Sequence, residues 1–299
     1  MSADIRKSVC KKIYATVKSS PLANEFDLIN LNELSNAESA SYAEKQLISK
    51  EFLRLKDKAS FMLSKEGDVS IMLCEEDHIK INAFSAGQDL FTAYNKANAL
   101  DDIFISAFKL AYSDRLGFLT ASPMNLGTGL KVSFALHLPA LARQKAIYRL
   151  SAMVSKLGLT LRELYRNGAG DIYILSNGVT LGITEKNAMD NLTAICDQLV
   201  KQERAAREEL KKDVEFEDRI YRTLGIMKTA RKLERGEFLE YVSLLRLGSA
   251  LGYLDVDYKT IGEMMHTLQD ASIISGSNAE IDGLECAKIR AQKVREILK

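Results

Sequence analysis

Hydrophobic residues follow two periodicities along this chain, and the change from one to the other constrains the fold most. From about Val69 to Leu181, apolar and polar residues alternate in several short segments, as they do in half-buried strands. The predicted strands are 69–74 with a continuation at 79–81, 130–138 and 159–165. Helical spacing at 88–112 and 140–157 places helices between them. This mixture predicts the α+β class.

A hairpin is predicted at residues 171–181, where Asn177-Gly178 lies between β-prone flanks. Asn-Gly is the favoured dipeptide of two-residue hairpin turns. Such a hairpin pairs its strands antiparallel, so we expect an antiparallel sheet rather than a doubly wound parallel one.

After Thr184, a residue suited to cap a helix, only helical spacing remains. A long helix is predicted to about Lys212, and further helices at 219–233, 237–251 and 258–268. We therefore predict an α+β domain at 1–210 and a helical C-terminal domain at 211–299 that supports dimerisation or binds a partner. The N-terminus predicts a short amphipathic helix at 5–17.

Charge and cysteine spacing exclude several classes of function. The net charge of +1 lacks the basic excess of a general nucleic-acid or anionic-membrane binder. Four cysteines, far apart and without a CxxC pair, disfavour a zinc site or a disulfide framework. No apolar run reaches the roughly 18 residues that a membrane span needs. We expect a cytoplasmic protein that contacts neither membrane nor nucleic acid.

Two segments carry residues suited to chemistry. Residues 74–80 read Cys-Glu-Glu-Asp-His-Ile-Lys, three carboxylates and a histidine in a strand-like run. Residues 119–131 contain a Gly-Thr-Gly turn that leads into a strand with a cation at its start. In isolation, the first segment is more often a solvated strand end, and the second is an ordinary connection in many proteins.

Together, the two segments resemble those of ATP:guanidino phosphotransferases, and in particular the bacterial protein-arginine kinase (McsB) family. Further similar segments are 116–120, 137–141, 176–182, 202–208 and 244–248. The resemblance implies a guanidino-kinase fold, an antiparallel sheet flanked by helices with an all-helical C-terminal domain. It also implies Mg-ATP, a protein-arginine substrate, a homodimer, a role in stress responses and the Clp protease machinery as partner.

The resemblance assigns roles to individual residues. Glu76 occupies the position of the family's catalytic base, and Asp77 or Glu163 is the substitute for a second carboxylate. The cations that would bind the phosphates of ATP are Lys80, Lys131 and Arg162. His78 is placed with the nucleotide-binding residues, with a buried structural hydrogen bond as its alternative role. No metal ligands are expected.

Several positions depart from the family pattern. Asn30 and Asn32 occupy the positions of two phosphate-binding arginines, Asn167 replaces the second carboxylate, and Ser122 replaces a reactive cysteine. Lysine at 80 and 131 keeps a charge but loses the bidentate fork of arginine. In the segment matching the family's phosphoarginine pocket, 286–291, only the last two residues agree.

Three functions follow from these departures. The first is a degenerate kinase that acts as a regulatory or binding protein. The second is an active protein-arginine kinase that transfers the γ-phosphate of ATP, and the third is a purely structural homodimer subunit. A basic residue such as Lys45 or Arg54 at the phosphates would favour the enzyme, whereas Asn30 and Asn32 there would favour the degenerate kinase.

Overall fold

The computed structural model describes residues 3–277 and 281–299, apart from the side chains of residues 3, 57, 166 and 167. The chain divides into two compact units. The first comprises Met1–Leu130 and Thr180–Thr184, and the second comprises Lys131–Val179 and Glu185–Lys299.

The first unit is a four-stranded antiparallel sheet with helices on both faces. Its elements are α1 (Ala3–Lys18), β1 (Phe26–Asn30), α2 (Asn36–Glu44), β2 (Ser60–Ser64), β3 (Val69–Leu73), β4 (Ile79–Ala83), α3 (Leu90–Ala107) and the short pair β5 (Tyr112–Ser113) and β6 (Gly117–Phe118). The strand order is β1-β2-β3-β4. Alternate residues of β3 point to two cores: Ile71 packs with α1 and α3, and Met72 packs with Phe52 and Phe61.

The second unit contains a three-stranded antiparallel sheet and all of the long C-terminal helices. Its elements are β7 (Ser133–His137), α4 (Pro139–Arg143), α5 (Ile147–Ser155), β8 (Leu159–Glu163), β9 (Ile172–Asn177), α6 (Glu185–Leu210), α7 (Val214–Thr229), α8 (Arg235–Leu251), α9 (Tyr258–Thr267), α10 (Asp270–Ser275) and α11 (Gly283–Ile297). β9 lies between β7 and β8.

The C-terminal helices share their core with the segment that joins β8 to β9. Phe238, Leu239 and Val242 of α8 are fully buried. The same core contains Tyr165 of the connecting segment and takes in the neighbouring Ile172. Burial of these large apolar side chains joins the helices after residue 210 to the sheet before it.

The structure confirms the α+β class and the antiparallel sheet flanked by helices. α6, α8 and α9 begin and end within two residues of their predicted bounds. No helix in the described part of the chain is long and apolar enough to cross a membrane.

Three local predictions are wrong. Residues 74–78 form a loop between β3 and β4 rather than a strand. The predicted helix at 140–157 is two helices, because Lys145 between them has a left-handed φ of 57°. The predicted hairpin at 171–181 is absent: β9 pairs with β7 and β8, and no strand follows Gly178 in 179–184.

Candidate active site

The predicted catalytic carboxylates lie on the β3–β4 loop, residues 74–78, which we call the acidic loop. The Cys74 N–H donates to the His78 carbonyl at 2.9 Å and closes the loop at its base. Cys74 itself has a φ of 55°, in the left-handed region that non-glycine residues rarely adopt. The loop therefore presents three successive acidic side chains from one end of the first sheet.

Glu75, the first of these residues, has a structural role. One of its carboxylate oxygens accepts a hydrogen bond from the Ser49 hydroxyl, and the other lies 3.0 Å from the Lys80 ammonium. The Glu75 side chain is almost buried, whereas the Lys80 side chain is about half exposed. Part of the charge of Lys80, a predicted phosphate ligand, is therefore neutralised by Glu75.

Asp77 holds a neighbouring segment in place. Its Oδ1 accepts from the Ala121 N–H at 2.8 Å, and its Oδ2 accepts from the Asn125 amide at 3.0 Å. Both carboxylate oxygens are thus occupied by donors of the 121–125 segment. A carboxylate bound in this way orients a loop, so Asp77 fits a positioning role better than that of a substitute base.

Glu76 and His78 are the free side chains of the acidic loop. Both are exposed, and neither side chain has a hydrogen bond or ion pair with any residue in the described ranges. Exposure of His78 corrects the expectation of a buried structural histidine. Glu76 therefore has the freedom that a general base needs in order to reach a substrate nitrogen.

The Gly-Thr-Gly turn is held by protein acceptors. Gly127 N–H donates to the Phe118 carbonyl at 3.2 Å, and Thr128 N–H donates to the Thr180 carbonyl at 3.1 Å. A Cβ on Gly127 would lie 2.4 Å from the Thr180 carbonyl oxygen, so only glycine fits there. The backbone amides of Gly127 and Thr128 therefore bind protein carbonyls. Close backbone packing explains why residue 127 is glycine.

Lys131 and Arg162 belong to the second unit. Arg162 lies on β8 opposite Ile174, and Lys131 lies two residues before β7. Both are exposed, and by strand alternation both share the sheet face of Ser133 and Thr160. Neither is paired with a carboxylate within the described ranges, so each keeps a full positive charge for an anion.

Among the described side chains of residues 27–54, no basic group has a hydrogen bond or ion pair with the acidic loop. The Asn30 amide donates to Glu33 at 2.9 Å, and its carbonyl oxygen accepts from the Ser60 hydroxyl at 2.7 Å. Lys45 and Arg54 are exposed and make no ion pair among the described residues.

Ser49 and Asn125, which anchor Glu75 and Asp77, could not be identified from the sequence. Each is far from its partner along the chain, and neither belongs to a motif, so no local pattern indicates it. The second substitute carboxylate, Glu163, ends β8 and is exposed. The side chain of Asn167 lies outside the described residues.

Arg290, from the segment matching the phosphoarginine pocket, is buried. It donates to the Leu268 and Leu233 carbonyls, each at 2.7 Å, and pairs with Asp270. Its ring-face contact with Phe238 covers the guanidinium further. These internal partners use most of its donors, so Arg290 stabilises the helical core.

Comparison with known proteins places these residues in a family. The model of the ATP:guanido phosphotransferase C-terminal catalytic domain matches residues 8–206, and that of the McsB C-terminal domain matches residues 213–299. A protein-arginine kinase of Clostridium acetobutylicum is 35% identical, over 100% of this chain and 90% of the relative. One of Staphylococcus haemolyticus is 35% identical, over 91% and 82%.

Solved structures support the same fold. A duplicated taurocyamine kinase from Schistosoma mansoni aligns with a TM-score of 0.61 at 23% identity, covering 68% of this chain and 30% of its own. A lombricine kinase aligns with a TM-score of 0.58 at 19% identity, covering 68% and 60%. With both family models and the full-length relatives in agreement, the chain belongs to the protein-arginine kinase family of ATP:guanido phosphotransferases.

Proposed function

We propose that this chain is a divergent protein-arginine kinase homologue whose phosphoryl transfer is weak or lost, and that it acts as a regulatory or binding protein. Phosphoryl transfer requires cations that neutralise the triphosphate and a carboxylate that orients the attacking guanidinium. The main observation behind the proposal is the hydrogen bonding of Asn30, at a position where the resemblance implies an arginine. Its side-chain amide donates to Glu33 and accepts from Ser60, so it has no charge and no free donor fork for a phosphate.

The remaining cations give partial support for nucleotide binding. The Lys80 ammonium already forms an ion pair with Glu75. Lys131 offers a phosphate a single point charge instead of the two parallel donors of an arginine. Only Arg162 keeps the bidentate geometry that suits a phosphate. We therefore expect Mg-ATP to bind weakly, with Arg162 as its main protein contact.

The chain would depend on the nucleotide to supply the magnesium ion. No group of three His, Cys, Asp or Glu side chains that could hold a metal is found among the described residues. Mg²⁺ commonly binds through substrate phosphates with few protein ligands. The ion, when bound, would neutralise phosphate charge, while Lys131 and Arg162 orient the chain of phosphates.

An active kinase is the second candidate, and the exposed Glu76 favours it. Its carboxylate is free to accept a proton from a substrate guanidinium, with Lys80, Lys131 and Arg162 as phosphate ligands. In that case, Asp77 would act by holding the 121–125 segment rather than as a second base.

Calorimetric titration with Mg-ATP tests the nucleotide site. We expect a Kd at least about tenfold weaker than that of the Clostridium acetobutylicum relative, because the fork-shaped contacts are missing at residues 30, 32, 80 and 131. Arg162→Ala should weaken binding further, whereas Arg149→Ala, an exposed arginine of the same unit, serves as the matched control. A Kd equal to that of the relative would favour the active kinase.

The helical segment after residue 210 is the proposed dimerisation and partner-binding domain. The boundary is supported by the gap between the two family models at 207–212. Exposed apolar side chains at Tyr221, Ile226 and Tyr258 are suited to a second copy or a protein partner such as the Clp machinery. Analytical ultracentrifugation of the Ile226→Glu and Lys228→Glu variants tests this proposal. Ile226→Glu should weaken the dimer, and Lys228→Glu, the control, should not.

A further inference from the structure

Two cysteines that are distant in sequence meet in the core of the first unit. Cys10 on α1 and Cys74 at the start of the acidic loop are both buried, and both pack in the core formed by α1, α3 and the first sheet. Their thiols are close enough for each to influence the acidity of the other. Sequence spacing predicted no cysteine pair, because only the fold brings α1 onto the end of β3.

Arg6 places a positive charge beside this pair. It lies one helical turn before Cys10, and its Nη1 donates to the Cys74 carbonyl at 2.5 Å. Its Nε is buried and has no hydrogen-bond partner in the part of the chain that the structure describes. A half-buried, partly unsatisfied guanidinium stabilises a nearby anion, and the Cys74 thiolate is such an anion.

The two thiols have different acidities for a physical reason. The neighbouring Cys10 thiol and the charge of Arg6 lower the pKa of Cys74 to about 7, against the opposing effect of burial. The neighbouring Cys74, together with burial, raises the pKa of Cys10. Within the described residues, Cys10 and Arg6, both on α1, are the ionisable groups that shift the Cys74 pKa. Cys74 is thus the nucleophile and Cys10 its neighbour.

We propose that Cys10 and Cys74 form a dithiol site that hydroperoxides oxidise to a reversible disulfide. The Cys74 thiolate attacks one peroxide oxygen and the O–O bond breaks. The departing hydroxide or alkoxide takes a proton to become water or an alcohol. The Cys10 sulfur then attacks the Cys74 sulfenic acid, an S–S bond forms, and hydroxide leaves with the Cys10 proton as water. Two electrons pass from the two sulfurs to the peroxide, and a dithiol reductant reverses the change.

The other cysteines lack this chemistry. Burial raises the pKa of Cys196 to about 11. Burial also raises the pKa of Cys286, which contacts Asp270 and Arg290. Because Cys74 N–H closes the acidic loop onto His78, the Cys10–Cys74 bond would tie α1 to the base of the loop that carries Glu76.

Peroxide treatment of the full chain, followed by acid quench, thiol alkylation and peptide mass mapping, tests the proposal without reference to ATP. We expect the loss of two of the four thiols, a mass decrease of about 2 Da, one Cys10–Cys74 linked peptide, and recovery with dithiothreitol. The oxidation rate of the native chain should rise about 50-fold between pH 5 and pH 7 as the thiolate forms.

Variants separate the roles of the residues. Cys10→Ser should leave a sulfenic acid on Cys74 that dimedone traps, and Cys196→Ser should oxidise as the native chain does. Arg6→Met should move the pH profile to higher pH, and Arg6→Lys should restore it. A disulfide through Cys196 or Cys286, a cross-link between two chains, retention of all four thiols or an unchanged profile in Arg6→Met would overturn the proposal.

Discussion

A network of buried polar side chains shows how single residues govern the stability of the second unit. Ser243 of α8 donates to Asp171 at 2.6 Å and lies 2.9 Å from Nε2 of His137 on β7. Since the only Ser243 proton goes to Asp171, Nε2 of His137 must donate to Ser243. Nδ1 of His137 is then a buried acceptor without a partner among the described residues.

This network makes stability depend on pH through His137. Burial and the charges of Arg207 and Arg246 lower its pKa well below the ordinary 6.5. As the pH falls below 6.5, the unfolded chain takes up this proton and the folded chain does not, so stability is lost by up to about 1.4 kcal/mol per pH unit. Above pH 6.5, His137 is neutral in both the folded and the unfolded chain, so this loss of stability is absent.

We predict that His137→Gln removes this acid-dependent loss, whereas His266→Gln, on the exposed face of α9, leaves it intact. Denaturant unfolding between pH 7.5 and pH 5 measures the slope. Equal slopes in the native chain and His137→Gln would refute the assignment. Asp171 acts in the opposite sense at more acidic pH, because burial raises its pKa above 3.8.

At the scale of elements, the acidic loop combines one anchoring carboxylate with one free carboxylate. Asp77→Ala should destabilise the first unit by about 1–2 kcal/mol, since the Ala121 amide and the Asn125 side chain lose their acceptor. Glu76→Ala, the adjacent exposed residue, should change stability by less than about 0.5 kcal/mol. Thermal unfolding of both variants checks the contrast, and equal losses would contradict it.

The turn at Gly127 is a second test of local structure. Gly127 has a φ of 107° and no room for a Cβ, whereas Gly182 has a φ of 76° and open space around it. Gly127→Ala should therefore cost about 3 kcal/mol or more, and Gly182→Ala about 1 kcal/mol from backbone strain alone. If the two variants unfold at the same denaturant concentration, close packing is not the reason for this glycine.

Elements with a strong periodic pattern could be predicted, and those fixed by distant contacts could not. α6 follows from helical spacing after Thr184, and β7 follows from alternation. The prediction of a hairpin at Asn177-Gly178 was wrong. The Asn177 side chain accepts from the Val132 amide, and the Gly178 amide donates to the Gly158 carbonyl. Long-range partners replace the local turn there.

In the candidate site too, residues in local motifs could be predicted, and contacts between distant segments could not. The resemblance led to Glu76, Lys80 and Arg162, because family motifs are local strings of residues. It gave no indication that Ser49 binds Glu75, or that Cys10 meets Cys74. Both contacts join segments that only the folded sheet brings together, so no spacing rule contains them.

At the scale of the whole molecule, the buried Arg290 joins α11 to the ends of two other helical segments. It binds the carbonyls of Leu233 and Leu268, and Asp270 supplies its counter-charge. Arg290→Met leaves two buried carbonyls unsatisfied, so we predict a loss of about 3 kcal/mol. Arg222→Met, which removes an exposed ion pair on α7, should leave the denaturation midpoint almost unchanged.

Chemical denaturation of these two arginine variants, with circular dichroism as the readout, provides the comparison. A stable Arg290→Met protein would mean that the guanidinium does not stabilise the helical core. Since the C-terminal helices share their core with Tyr165, unfolding of Arg290→Met should also expose the sheet of the second unit.

The most direct measurement for the central claim is the rate of phosphoarginine formation on an arginine-rich protein at saturating Mg-ATP. The native chain, Glu76→Gln and the Clostridium acetobutylicum relative would be assayed side by side. With the phosphate-binding arginines replaced, we predict a rate at least about a thousandfold below that of the relative, and no measurable change in Glu76→Gln. A rate close to that of the relative that disappears in Glu76→Gln would contradict the claim and identify a working kinase.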